Sequence, residues 1–120
     1  MPERMRVLEV PPEPEFELLG FRTVERVPED GYWCYEAADA SGVRIRLSFD
    51  IFERSVQVTT FVNKAELSVV SQEGGTVIRV ARDNGSPSLH CEFRSLETRG
   101  ILNVSLTPRI HVNWATLQDD

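Results

Sequence analysis

Nucleophilic catalysis needs a serine, cysteine or threonine with a base beside it and a group orienting that base, and the only histidines are His90 and His111. Both fall on the polar phase of alternating stretches, "SLHCEF" and "RIHVNW", opposite Leu89 and Ile110. They read as solvent-facing strand residues, and only if their strands are neighbours can they form a polar cluster with Glu92 or Asn113. The two cysteines, Cys34 and Cys91, lie in apolar strand-like sequence and read as reduced packing residues. The alternation sends Cys91 inward and His90 outward, which speaks against a shared metal. Asp50 and Glu53 in "FDIFER" are a carboxylate pair at a turn, and a pair drawn from nineteen acids carries little specificity for glycosidic chemistry. "EGGT" lacks the lysine and following helix of a phosphate loop. Arg44 and Arg46, two apart, could grip an anion or bridge to neighbouring glutamates. The expectation is no catalytic residues, no metal site, no cofactor and no enzyme activity.

Two other groupings carry interaction chemistry. Residues 1 to 40 hold ten acids against four bases, the whole of the net charge of −6, while the remaining eighty residues hold nine of each. "VLEVPPEPEFELLG" contributes Glu13, Glu15 and Glu17, which would share one phase of an extended, proline-stiffened chain. Further along, Tyr32, Trp33 and Tyr35 stand among Glu29, Asp30, Glu36 and Asp39. Aromatics ringed by acids suit docking to a basic protein, because charge speeds encounter and rings prolong contact. The candidate partner-binding set is Glu13, Glu15, Glu17, Glu29, Asp30, Trp33, Tyr35, Glu36 and Asp39. In the alternating pattern Trp33 and Tyr35 face one way and Tyr32 and Cys34 the other.

These residues must be positioned by strands. From Gly42 the chain alternates with period two: Val43, Ile45, Leu47, Phe49 and Ile51; then Val56, Val58, Thr60 and Val62; then Ala65, Leu67 and Val69 after a tight Asn63-Lys64 turn. "TVIRVA", "SLHCEF", "ILNVSL" and "RIHVNW" follow, separated by "SQEGG", "RDNGSP", "RSLETRG" and a break at Pro108. "RMRVLEV" can be a short strand. "EFELLGFRTVERV" reads either as a strand with a phase change near Gly20 or as a short helix. The fold expected is all-β: an antiparallel sandwich or partly open barrel of about eight to ten short strands with little helix. The chain of 120 residues reads as a single domain, residues 1 to 40 its acidic, proline-containing part and 41 to 120 its regular strands.

With 41% hydrophobic and 27% charged residues and no apolar run of about twenty, a membrane protein is not expected. "MPERMRVLEV" has no secretory signal pattern, so a cytoplasmic location is expected. A pI near 4.9 argues against nucleic acid as a partner.

The run "IRLSFDIFERSVQVTTFVNKAELSVVSQEGGTVIRV", with the closing "LTPRIHVNWATL", resembles small all-β bacterial immunity proteins of contact-dependent growth inhibition and other polymorphic toxin systems. The resemblance spans residues 43 to 117 and is one of general pattern. It implies a cytosolic antidote that binds and blocks the toxic domain of a cognate effector, often a basic nuclease, for which an acidic surface would be fitting. A carbohydrate-binding or other small-ligand β domain, with Trp33, Trp114 or the tyrosines lining a cleft, and a homo-oligomeric structural subunit are the alternatives.

Overall fold

The computed structural model describes residues 6–83 and 86–118. The alternating stretches form two antiparallel meanders. The first sheet runs β1 (Arg22–Val27), β2 (Tyr32–Ala38), β3 (Val43–Asp50), β4 (Ser55–Val62) and β5 (Ala65–Gln72), in that order. The second runs β6 (Gly75–Asp83), β7 (Ser86–Arg94), β8 (Thr98–Ser105) and β9 (His111–Gln118). Neither sheet closes on itself, so the expected sandwich is found, with nine strands among the described residues. The central positions of the "RDNGSP" turn lie outside the described residues; Asp83 pairs with Ser86 across it.

The core is the alternation made three-dimensional. Ile45, Leu47 and Phe49 of β3, with Val56 and Val58 of β4, meet Ile78 of β6, Leu89, Cys91 and Phe93 of β7, and Leu102 and Val104 of β8. Each is at most 3% exposed, and at about 25 cal/mol per Å² of apolar area this layer supplies most of the drive to fold. Cys34 and Cys91 are buried reduced thiols in different sheets. Burial pushes the Cys91 thiol up to about 12.

The N-terminal segment differs from the extended path expected of it. Glu13–Leu19 is a helix, α1, with Pro12 as its N-cap and a proline in its first turn, where a missing N–H costs nothing. Gly20, at φ 115°, ends it: its N–H bonds to the Glu17 carbonyl at 3.0 Å and that of Phe21 to Phe16 at 3.1 Å. Seven residues are too few for a helix to persist alone. What holds it is Phe16, 0% exposed, stacked on Tyr35 at 4.2 Å and on Phe49 at 5.8 Å. "RMRVLEV" forms no strand among the described residues. It crosses between the sheets instead, Leu8 N–H donating to Ile51 O at 2.9 Å and Ile78 N–H to Glu9 O at 2.7 Å.

A second departure concerns β5. Positive φ at both Asn63 and Lys64 makes the expected tight hairpin. A bulge between Thr60 and Phe61 then shifts the phase, so Thr60 faces Ser68, Val58 faces Val70, and Val69 pairs with Thr59 on the other side. Ala65, Leu67 and Val69 therefore do not form the buried face that alternation predicts, and every residue of β5 is exposed.

Candidate partner-binding surface

Three of the seven acidic candidates, Glu13, Glu36 and Asp39, are engaged within the fold. Glu13, on α1, accepts from Arg26 Nη1 at 2.6 Å, fastening the helix to β1. Asp39, in the β2–β3 turn, accepts through Oδ1 from the Ser41 N–H at 2.8 Å and hydroxyl at 2.6 Å, and from Val43 N–H at 3.2 Å. Its Oδ2 accepts the Ile110 N–H at 2.8 Å, joining that turn to the strand entering the other sheet.

Glu36 is the most constrained. It stands on the outer face of the first sheet, between Arg22 on β1 and Arg46 on β3. Arg22 Nη2 reaches its Oε1 at 2.9 Å, while Arg44 Nη1 at 3.0 Å and Arg46 Nε and Nη2 at 2.9 and 2.6 Å converge on Oε2. Burial works against its charge, but Arg46, then Arg44 and Arg22, hold the carboxyl below its usual range. Of the two uses open to Arg44 and Arg46 in the sequence, cross-strand bridging to Glu36 is the one made within the fold.

Glu17, Glu29 and Asp30 are exposed, and Glu15 is half-buried. Glu15 and Glu17 belong to α1, so the three glutamates do not make one extended row: Glu13 and Glu17 share a face and Glu15 does not. Glu29 and Asp30 sit in a 3₁₀ turn between β1 and β2. Trp33 is half-buried, its ring stacked on Phe49 at 5.9 Å. Tyr35 is 1% exposed and belongs to the aromatic core under α1, where burial drives its phenol well above the ordinary range.

His90 and His111 do not adjoin, because β8 runs between their strands. His90 Nδ1 lies 2.8 Å from Asn103 Oδ1 and Nε2 3.0 Å from Glu92 Oε2, which also accepts from Arg79 at 2.8 Å. His90 first, and then Arg79, keep Glu92 below the usual carboxylate range. Among the described residues no group of three or more His, Cys, Asp or Glu could hold a metal, and no helix is long and apolar enough to cross a membrane. Asp50 Oδ1 accepts from the N–H groups of Phe52 and Glu53, both at 2.9 Å, and shapes a turn.

One feature escapes sequence reasoning. Where β5 peels away, the sandwich stays open as a cleft of about 290 Å³, lined by Val58, Thr60, Leu67 and Val70 of one sheet and Val112 and Trp114 of the other. Beside it Leu67 is 69% and Val69 48% exposed, and β5 is the sheet's edge. The available signal was polarity on the inward phase, at Thr60 and Ser68, where a sealed core would carry aliphatics.

No family model matches the sequence, and no curated protein matches it. Among solved structures, a chain of the contact-dependent growth inhibition toxin–immunity protein complex from Klebsiella pneumoniae 342 aligns with a TM-score of 0.86 at 19% identity. That alignment covers 94% of this chain and 100% of that one. The two chains share a fold.

Proposed function

We propose that this protein is the immunity partner of a contact-dependent growth inhibition toxin, a cytoplasmic, non-enzymatic binder that neutralises the toxin's active domain. The observation that carries the reading is the likeness to a chain of a toxin–immunity complex over 94% of this chain and 100% of that one. The immunity side, rather than the toxin side, is supported by how the reactive groups are used. His90 is tied to Asn103 and Glu92, and Asp39, Asp50 and Glu36 hold turns and strands together.

The partner we assign is a basic nuclease domain, met by the acidic end formed by α1 and the 3₁₀ turn. Glu15, Glu17, Glu29 and Asp30 steer it, with Glu13 and Asp39 adding to the field and Trp33 as a partly exposed anchor. Tyr35 and Glu36 act from beneath, Tyr35 by seating α1 and Glu36 by ordering the outer face of the sheet. The open β5 edge and its cleft extend the apolar area available to the same partner.

Co-expression with the protein encoded beside it tests the reading. The neighbour should arrest growth alone, lose toxicity when this chain is present, and co-purify with it. A neighbour that is harmless, or toxic but unbound and unrescued, overturns the assignment. The cleft, with Trp114 in its wall, favours a small-ligand domain as the second reading. Saturable change in tryptophan fluorescence with a sugar or fatty acid, without toxin rescue, would select it.

A further inference from the structure

On a protein of net charge −6, the outer face of the first sheet carries a local excess of positive charge. Arg22, Arg44 and Arg46 surround Glu36, so three guanidiniums share one carboxylate and two positive charges remain uncompensated within the cluster. The Glu36 side chain is 5% exposed, whereas those of Arg22, Arg44 and Arg46 are 73%, 34% and 43% exposed. The carboxylate lies at the bottom and the cations lie at the surface. Arg44 Cζ sits 4.0 Å over the Phe61 ring and Arg46 Cζ 5.6 Å from it, so the ring supports both guanidiniums from the side. Of the acids elsewhere on this sheet, Glu66 lies across from Phe61, Glu25 across from Cys34 and Asp50 across from Tyr32, and none makes an ion pair with these arginines.

Burying the Glu36 carboxylate is a poor means of stabilising a sheet, because its desolvation offsets the attraction to the arginines. Its effect is to fix the arginines. Arg46 spends its Nε and Nη2 on Glu36, and Arg44 spends one Nη, leaving further N–H donors of two immobilised planar forks at the surface. A binding group that meets them incurs little of the ordering entropy that mobile arginines would demand.

We propose that Arg44 and Arg46, with Arg22 at the margin, form a preorganised carboxylate-docking platform that takes an acidic side chain of the partner protein. Charge complementarity selects the occupant: the platform is a locus of excess positive charge on an acidic molecule, and its remaining N–H donors suit a carboxylate. Nucleic acid would require a stripe of basic residues and would meet repulsion from the rest of the chain. This role rests on the partner-binding reading for its source of carboxylate and names a second contact chemistry at that interface, opposite in sign to the acidic end. The partner toxin would then offer an acidic side chain as well as a basic surface.

Two measurements separate the platform from the reading it rests on. In the first, the isolated protein is titrated at low salt with a hexaglutamate peptide while the arginine Nε–H resonances are followed. Arg44 and Arg46 signals should move and saturate, and Arg44→Gln should lose at least tenfold in peptide affinity. Arg44→Lys, which keeps the charge but not the fork, should fall between. A thermal melt of each variant establishes that it is folded. Unmoved signals, equal binding by the variants, or tighter binding of a single-stranded DNA hexamer overturns the platform. In the second, the toxin encoded beside this chain is bound to wild type, Arg44→Gln and the control Arg109→Gln. A tenfold or greater loss confined to Arg44→Gln supports the proposal. Equal binding by all three overturns it while the immunity reading stands. If wild type binds no toxin, that reading falls and the peptide titration alone decides the platform.

Discussion

The carboxylate of Asp39 accepts backbone N–H groups from two separate parts of the chain, its own turn at Ser41 and Val43 and the strand entry at Ile110. The Ile110 N–H foremost, then the Ser41 hydroxyl, hold its carboxyl at about 2, below the ordinary 3.8. A carboxyl depressed in the folded state stabilises the fold fully above its unfolded value, and that contribution is lost as pH falls through the folded one. Urea melts from pH 5 to pH 2 should therefore show an acid limb that Asp39→Asn flattens between about pH 4 and pH 2, with lower stability at pH 7. Indistinguishable acid limbs would mean that Asp39 is not a linking residue. Phe16 acts differently, through its ring alone. Phe16→Ala should cost about 3–5 kcal/mol in a denaturant melt, because it removes the residue that seats α1 on Tyr35 and Phe49. Leu18→Ala, at a residue 79% exposed on the same helix, should stay within about 0.5 kcal/mol.

At the scale of elements, the strands differ in what holds them. β3 is paired on both sides and buries Ile45, Leu47 and Phe49, whereas β5 is an edge strand exposed at every residue. Leu47→Ala should cost roughly 2–5 kcal/mol and Leu67→Ser no more than about 0.5 kcal/mol, although both leucines sit in similar alternating stretches. Backbone amides of β5 should exchange with solvent well before those of β3, and equal protection would show that the edge is covered in solution. The phase of β3, β7 and β8 was legible in the sequence because their inward sets are unbroken, as in Leu89, Cys91 and Phe93, and that of β4 through Val56 and Val58. β5 was not, since one bulge residue reverses every face beyond it and leaves no mark in composition. The choice between strand and short helix at "EFELLG" stayed open for a related reason. Three prolines suggest an extended path, yet Pro12 and Pro14 fall at the cap and first turn, where proline is compatible with a helix.

For the whole molecule, the proposed function places charge of both signs on distinct faces, and each should register in association kinetics. Replacing Glu15, Glu17, Glu29 and Asp30 together by lysine should slow capture of a basic toxin by tenfold or more at low ionic strength, with the difference shrinking at physiological salt. Because Glu17, Glu29 and Asp30 are exposed and Glu15 only half-buried, the melting temperature should move little. An association rate unchanged at low salt would remove the acidic end from the interface. Of the candidate contact residues, Glu17, Glu29 and Asp30 on α1 and the 3₁₀ turn are exposed, as charged residues ordinarily are. Tyr35 and Glu36 could not be separated from Trp33 by type, because their roles depend on what covers each face: α1 over Tyr35, and three arginines over Glu36.

By itself the sequence determined the architecture and the placement of charge: alternation with period two specifies strands with one buried face, and counting acids specifies where the negative charge lies. Tertiary structure alone decided which of those charges remain available. Asp39, Glu13 and Glu36 find their partners at Ile110, Arg26 and the arginine trio, which are distant in sequence or set by strand register. The cleft beside Trp114 was decided there too, because it exists only where two sheets formed from different parts of the chain fail to meet. Alternation is a local property and survives in any arrangement of strands, whereas ion pairs and open seams depend on which strands become neighbours.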